Sequence, residues 1–473
     1  MNSVATNAIK NGIQSTRVSI SGFPWPSAVI LYSISWFWPL LRPNTLYWDD
    51  WAFIWAQPKN YLNEIFVDTG LPPWRALLDQ QLISVGYWTL QSLTFLMFFT
   101  AGIYLYSILQ KIKCLTFEQT QFITLIFLII PINHSRVALV LFGYTTSYFL
   151  FFLAWCLLIR LRSYLFVCSL VFFFWSFMTH SFLFFYILPV AHFVRLNFAN
   201  TSLVLLNRIL ILKTTILLAL PFAYYALRSK FWYPTPEWEG YHRFKIDGAL
   251  KVLPLLIIGT LIIGIFWVFV RRKISKIQGL KTVLVGWLIF AWGLFPYFAN
   301  GRIPDYASIF AVRSDWGGRH IMLTPLGAAI IIAGAVEITS NSLKRRLKTI
   351  LLAVFVAFNI FCGTQIYLDS LKKEKLTELI AKAGEAGEFK PSSQIIFVDE
   401  TKKFNSRFST YRDPELRAIL AISDVNAQVI TGKVECSSDQ GDLEVKLESN
   451  KTYLSAILTR DLGLTLEISA CSP

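Results

Sequence analysis

Long apolar runs recur from one end of this 473-residue chain to the other, and they limit its folds more than any other feature. A run of about 18 or more residues with few charges is long enough to cross a bilayer as a helix. Such runs fall near 26–42, 86–108, 118–132, 138–159, 163–178, 181–194, 208–227, 248–270, 282–299, 320–339 and 348–368, giving about eleven spans. Residues are 55% hydrophobic and 15% charged, against roughly 25% charged in soluble domains. The expected fold is therefore an all-α polytopic membrane protein. A large soluble protein with buried helices is the rival that this composition disfavours.

Orientation follows from the cations in the short loops. One set of loops carries Lys111 and Lys113, then Arg160 and Arg162, then Arg195, Arg208 and Lys213. It continues with Arg271, Arg272, Lys273, Lys276 and Lys281, and ends with Lys344, Arg345, Arg346 and Lys348. These alternate correctly to share one side, the cytoplasmic one. They account for most of the +15 net charge, which is spread over many loop ends. Nucleic-acid binding, which needs a gathered basic face, is excluded on that ground. No cleavable signal peptide is evident before the first run, which is expected to act as a retained anchor.

The opposite, exoplasmic side then receives the loop 43–85, the turn Asn133-His134-Ser135-Arg136, the segment 230–245, the segment 301–320 and the tail. Two domains are expected: a transmembrane unit over 1–368 and a small exoplasmic α/β domain over 369–473. In the tail, 371–386 reads as a helical stalk and 413–422 as a helix. Segments 394–398, 427–430, 453–458 and 464–468 read as strands. Cys436 and Cys471 lie in this tail, where an oxidising compartment would allow them to pair. Cys114, Cys156, Cys168 and Cys362 lie in or beside spans and form no metal-ligand spacing.

The acidic pair Asp49-Asp50 stands in Leu46-Tyr47-Trp48-Asp49-Asp50-Trp51, just after the first run. Charges beside a membrane are costly, and a carboxylate there is a natural general base. Asp50 also reads as a helix N-cap before Trp51-Ala52-Phe53. The stretches 50–56 and 73–82 are amphipathic and aromatic, as interfacial helices are. Trp48, Trp51 and Trp74 are candidates to stack on a sugar; the other span-end aromatics read as interface belts. Arg319 follows Gly317-Gly318, which allow close backbone approach, and its planar fork of donors suits a phosphate. Arg136, Arg302 and Arg313 are further cation candidates, with His242 and Arg243 in the aromatic-basic loop. Each also reads as ordinary headgroup contact or snorkelling. His134, His180 and His320 fall at span ends, but no carboxylate stands at ligand spacing. No metal or other cofactor is indicated.

An acidic pair opening a long first exoplasmic loop, followed by interfacial helices and many spans, resembles the GT-C superfamily of polyprenyl-phosphate-dependent glycosyltransferases. Within it the chain is most similar to bacterial serotype-converting glucosyltransferases and protein-mannosyltransferase-like enzymes. The residues that carry the likeness are Tyr47-Trp48-Asp49-Asp50, Gly70-Leu71-Pro72-Pro73-Trp74 with Arg75 following, and Gly318-Arg319-His320 before a late span. The resemblance implies a bacterial inner-membrane enzyme that moves a sugar from a polyprenyl-phosphate donor to a glycan or glycolipid acceptor at the exoplasmic face, with inversion. It implies Asp49 as the base and Asp50 in loop geometry or acceptor binding. It also implies Arg75, Arg319 and His320 as substrate-binding residues. Two other readings stand beside it. A polysaccharide polymerase or ligase is disfavoured by the short late loop. A transporter is disfavoured by charges placed at span ends and the lack of a repeat.

Overall fold

The computed structural model of the protein describes residues 22–42, 44–48, 50–51, 61–112, 114–132, 134–198, 206–239, 244–270, 274–302, 316–389, 394–406, 411, 413–425, 428–431 and 443–470. Expectations for Asp49, His242, Arg243, Arg313, Cys436, Cys471, Lys113, Arg271, Arg272, Lys273 and residues 1–21 lie outside the described residues.

Each apolar run contains a helix, but the helices differ in length. Six are long and apolar enough to cross a membrane: Tyr87–Leu109, Leu139–Leu158, Arg208–Phe231, Ile246–Ile265, Ile277–Ala299 and Asn341–Glu385. Four more are apolar but shorter: Phe117–Ile129, Ser163–Ser176, Ser181–Asn197 and Thr324–Ile338. The first run divides at Phe37 into Trp25–Trp36 and Trp38–Leu41, with Pro39 in the second piece. Length and composition thus license six spans, a smaller number than the count of apolar runs. These helices are compatible with an integral membrane protein.

Contacts sort the connecting segments into two ends. At one end, Gln278 donates to the Cys114 carbonyl (2.9 Å), Gln121 donates to the Gly22 carbonyl (2.7 Å), and Lys348 lies 3.6 Å from Glu118. At the other, Arg42 pairs with Glu374, the Thr235 amide donates to the Asp68 carbonyl (2.9 Å), and the turn His134–Val137 packs on Trp316–Ile321. Each of these contacts joins segments expected on the same side.

A seam of glycines brings Ile274–Ala299 and Thr324–Ile338 together. Gly279, Gly286 and Gly293 recur every seventh residue and face Gly334, Gly327 and Leu323 in turn. A Cβ at Gly286 would sit 2.6 Å from the Ile331 amide nitrogen, and one at Gly334 would sit 2.7 Å from that of Val283. Small residues let the two backbones approach in a way that packs well in lipid. Elsewhere the core is built of aromatic rings. Phe98 stacks on Phe127 at 5.3 Å, and Phe151 meets Phe182 at 4.8 Å.

The last apolar run and the expected stalk form one 45-residue helix, Asn341–Glu385, about 68 Å long at 1.5 Å per residue. Its apolar half lies in the bundle and its polar half enters the tail. There four strands, β1 (Gln394–Asp399), β2 (Gln428–Thr431), β3 (Leu443–Ser449) and β4 (Leu464–Ala470), pair in the order β2-β1-β3-β4. β1 runs parallel to β2 and β3, and β4 runs antiparallel to β3. Helix Asp413–Ile422 forms where the sequence places it. Two tail expectations are corrected. Segment 453–459 is a helix, because the Thr452 hydroxyl accepts the Ser455 N–H (3.2 Å) as an N-cap and Ala456 is buried. β3 has no counterpart in the sequence reading. The tail core joins Leu376 and Ile380 of the long helix to Phe397, Leu416 and Leu447, and the same cluster takes in Leu46, Trp51 and Leu139 from the bundle end.

Gly286→Val is expected to lower stability by roughly 1–3 kcal/mol, the range for overpacking a tight contact. Thermal unfolding of the detergent-solubilised protein reads this directly, and an unshifted melting temperature would count against the seam.

Candidate functional site

The start of helix Leu139–Leu158 is where the candidate residues gather. A helix start leaves backbone N–H groups without intrahelical partners, and an anion is stabilised there. Asp50 fills that place from 89 residues upstream. Its Oδ2 accepts the Leu139 N–H (2.8 Å) and the Tyr47 N–H (3.0 Å), and its Oδ1 accepts the Val140 N–H (2.9 Å). The side chain is fully buried. Asp50 thus caps the start of helix Leu139–Leu158; the cap expected before Trp51-Ala52-Phe53 falls largely outside the described residues.

The segment around Asp50 is held equally firmly on its other side. Thr45 Oγ1 lies 2.9 Å from Ser370 Oγ. The Trp48 indole N–H donates to Ser406 Oγ (3.3 Å), whose hydroxyl donates to Asp369 Oδ2 (2.8 Å). Lys373 Nζ lies 3.5 Å from Asp369, 3.6 Å from Glu415 and 6.0 Å from the centre of the Trp51 ring. Trp48 is held at φ +48°, a left-handed conformation that costs a non-glycine residue about 1–3 kcal/mol and persists only when its surroundings impose it. Trp48 and Trp51 are both buried, so neither offers an open ring face to a sugar. Beside them, Lys372 Nζ pairs with Asp399 (2.7 Å) with both side chains fully buried. Burial alone would raise the Asp399 carboxyl. The Lys372 ammonium, with hydrogen bonds from Thr401 and Asn405, outweighs it and holds the group below the usual carboxylate range.

Helix Pro73–Val85 lies against the same hub with its polarity inverted. Arg75 and Asp79 are buried, while Trp74, Leu77, Leu78 and Val85 are exposed, the pattern of a helix turned toward lipid. Arg75 is paired with Asp79 (3.1 Å) and stacked over Phe142 at 5.1 Å, so its charge is already engaged. Trp74 is 39% exposed and meets Trp175 edge-on at 5.0 Å, which leaves part of its surface open.

Arg136 is buried between the rings of Trp36 (3.4 Å) and Phe98 (3.8 Å), a cation–π sandwich. Burial lowers its guanidinium to about 10. It borders a cavity of about 20 Å³, room for a water and too small for a phosphate. His134 in the same turn stacks on Trp36 and donates from Nε2 to Asn359 Oδ1 (3.1 Å), with Asn359 oriented by its own bond to the Ile129 carbonyl. Burial, then Arg136, pushes His134 down to about 3, so it is neutral. Against this turn packs Trp316–Ile321, which carries Arg319 and His320. The His320 ring lies 5.7 Å from Tyr297 and within electrostatic reach of both Arg319 and Arg302. Arg319 and Arg302 are both half-buried. The ring neighbours of His134, His180 and His320 are Trp36, Tyr224 and Tyr297 respectively. Among the described residues no group of three or more His, Cys, Asp or Glu is arranged to hold a metal.

The sequence reading passes over two features. Arg228, 4% exposed at the end of helix Leu206–Phe231, lies against the loop at Gly70, where a Cβ would come 2.7 Å from its Nη2. Its position at the end of an apolar run is the only signal the sequence offers. The second is the network of Asp369, Lys372 and Lys373, signalled by charges directly after the last apolar run. No protein-family profile matches the chain, and no curated protein matches it.

Asp79 gives a pH test of the hub. Burial raises its carboxyl from 3.8 to about 6, with Arg75 offsetting only part of the cost. The folded chain binds this proton more tightly than the unfolded chain. The stabilisation is complete below pH 3.8 and is lost as pH rises through about 6. In Asp79→Asn this component of the melting temperature–pH curve should vanish; an unchanged curve would remove Asp79 as its source.

Proposed function

We propose that this protein is an integral-membrane glycosyltransferase of GT-C-like architecture. It would take a sugar from a polyprenyl-phosphate donor and place it, with inversion, on a hydroxyl of a glycan or glycolipid at the exoplasmic face. The observation that carries the reading is the convergence on one hub. The acidic motif is pinned to the start of helix Leu139–Leu158, and the turn bearing Arg319 and His320 packs on the residues just before it.

All eleven apolar runs cross the membrane in this reading. A 14-residue helix spans about 21 Å, less than the roughly 30 Å hydrocarbon core, so the shorter ones need local thinning or burial among neighbours. The alternating contacts at the two ends support the odd number of crossings, which puts the tail outside with the hub. Nucleotide sugars are scarce there, which favours a lipid-carried donor.

The chemistry demands one base and a cationic cradle. The acceptor oxygen attacks C1 of the donor sugar, the C1–O bond to phosphate breaks, and its electron pair leaves with the phosphate. Asp49 takes the acceptor proton. Asp50 is committed to backbone donors and serves as the mount that aims its neighbour. Arg319 and Arg302 receive the phosphate, with His320 beside them. Arg313 lies between Arg302 and Arg319 in sequence, and His242 and Arg243 just precede Lys245, whose amide donates to the Ala299 carbonyl (2.6 Å). Trp74 is the aromatic best placed to meet a sugar. Arg75 and Arg136 contribute by holding the hub.

The test is sugar transfer in proteoliposomes supplied with a labelled polyprenyl-phosphate sugar and acceptor-bearing membranes. Asp49→Asn should lose about 10²- to 10⁴-fold in rate, the usual contribution of a positioned base, with the fold intact. Full activity in Asp49→Asn would overturn the assignment. A reporter fused after Pro473 should read exoplasmic, and a cytoplasmic reading would break the eleven-span topology.

A further inference from the structure

The helix Tyr453–Thr459 presents an unusual surface. It is part of the polar tail, yet Leu454 is 66% exposed and Leu458 75% exposed, one turn apart on one face. On its other face Ala456 is buried and Ile457 packs against the tail core. Two large leucines turned outward from a small folded domain are a poor arrangement in water.

Their height along the molecule explains them. The long helix Asn341–Glu385 carries no charge between Lys348 and Asp369. Along that interval Ile350, Val354, Phe358 and Phe361 are exposed, an outward apolar stripe at helical spacing. The helix Tyr453–Thr459 packs on the long helix, with Tyr453 within electrostatic reach of Cys362, which stands seven residues and about 10 Å before Asp369 along the helix axis. The leucine face thus sits beside the upper end of the apolar stripe, below the first charges of the stalk.

Cations surround it. Lys402 and Lys403 are exposed on the turn below β1, and Lys403 Nζ donates to the Lys451 carbonyl (2.8 Å), which brings that turn to the start of the helix. Arg460 follows at its end and is exposed, with Asp461 as the acid beside it. An apolar face rimmed by lysine and arginine is the pattern of a helix lying in a membrane interface. Its apolar side sinks about 5–10 Å, and its cations meet anionic headgroups.

We infer that the tail domain is seated on the bilayer through this helix, with Leu454 and Leu458 in the acyl-chain boundary and Lys402, Lys403 and Arg460 at anionic lipid phosphates. The inference rests on the long helix crossing a membrane and is independent of sugar transfer. The seat would hold the tail at a fixed height, and with it the network that grips Trp48.

The test is photo-crosslinking of the full-length protein in vesicles of phosphatidylcholine and phosphatidylglycerol, with benzoylphenylalanine placed at one position at a time. Position 458 is largely exposed, so the substitution leaves packing undisturbed. Lipid adducts are expected at 458 at a level near that of Val354 in the apolar stripe. They should be several-fold above Glu467, an exposed position on β4, and richer in phosphatidylglycerol than the vesicle. Adducts at 458 no higher than at 467, or adducts to a second copy of the chain, would overturn the seat. Equal labelling of the two lipids would overturn its electrostatic half. Failure at Val354 as well would overturn the membrane reading beneath it.

Discussion

The Asp50 carboxylate and the two backbone N–H groups at Leu139 and Val140 form the joint on which the rest of this end of the molecule depends. A helix start needs acceptors, and a buried carboxylate needs donors, so each satisfies what the other would otherwise leave exposed to a low dielectric. Losing one partner would strand buried N–H groups at about 1–3 kcal/mol each. Asp50 lies in the segment that leaves the first apolar run, so the joint ties that segment to the bundle. The cation-bearing turns at His134 and Trp316 are stacked directly before the same helix start.

The tail completes this arrangement and is more than an appendage. Its core is continuous with Leu46, Trp51 and Leu139, and its ionic network reaches Trp48 through Ser406 and Asp369. Buried ion pairs add little net stability over an apolar core but are costly to break. The Lys372–Asp399 pair therefore resists any shift of the stalk relative to β1. The left-handed conformation of Trp48 is the local cost of this grip. Trp48 and Asp50 are thereby clamped between the start of helix Leu139–Leu158 and the folded tail.

Much of the fold was legible because its signals are local. Apolar runs give the helices, and loop cations give the alternation that the end contacts repeat. The helix at 413–422 and the strands at 394–399 and 464–470 follow from short-range pattern. Strand β3 was missed, because Glu444, Lys446 and Glu448 hide the alternation that turns Val445 and Leu447 inward. Segment 453–459 is rich in residues that suit a strand, and only the Thr452 cap betrays a helix. The partners of Asp50, Trp48 and Arg228 were not legible, because each lies far along the chain and is chosen by tertiary packing. Helix length was only partly legible, since the first apolar run, which composition alone joins, is cut beside Pro39.

Native-state hydrogen exchange at the Leu139 and Val140 amides tests the joint most directly, comparing the wild-type chain with Asp49→Asn and Asp50→Ala. Slow exchange is expected in the wild type and in Asp49→Asn, with marked acceleration confined to the hub in Asp50→Ala. Equal protection in all three would contradict the assignment of Asp50 as the acceptor that holds this helix start.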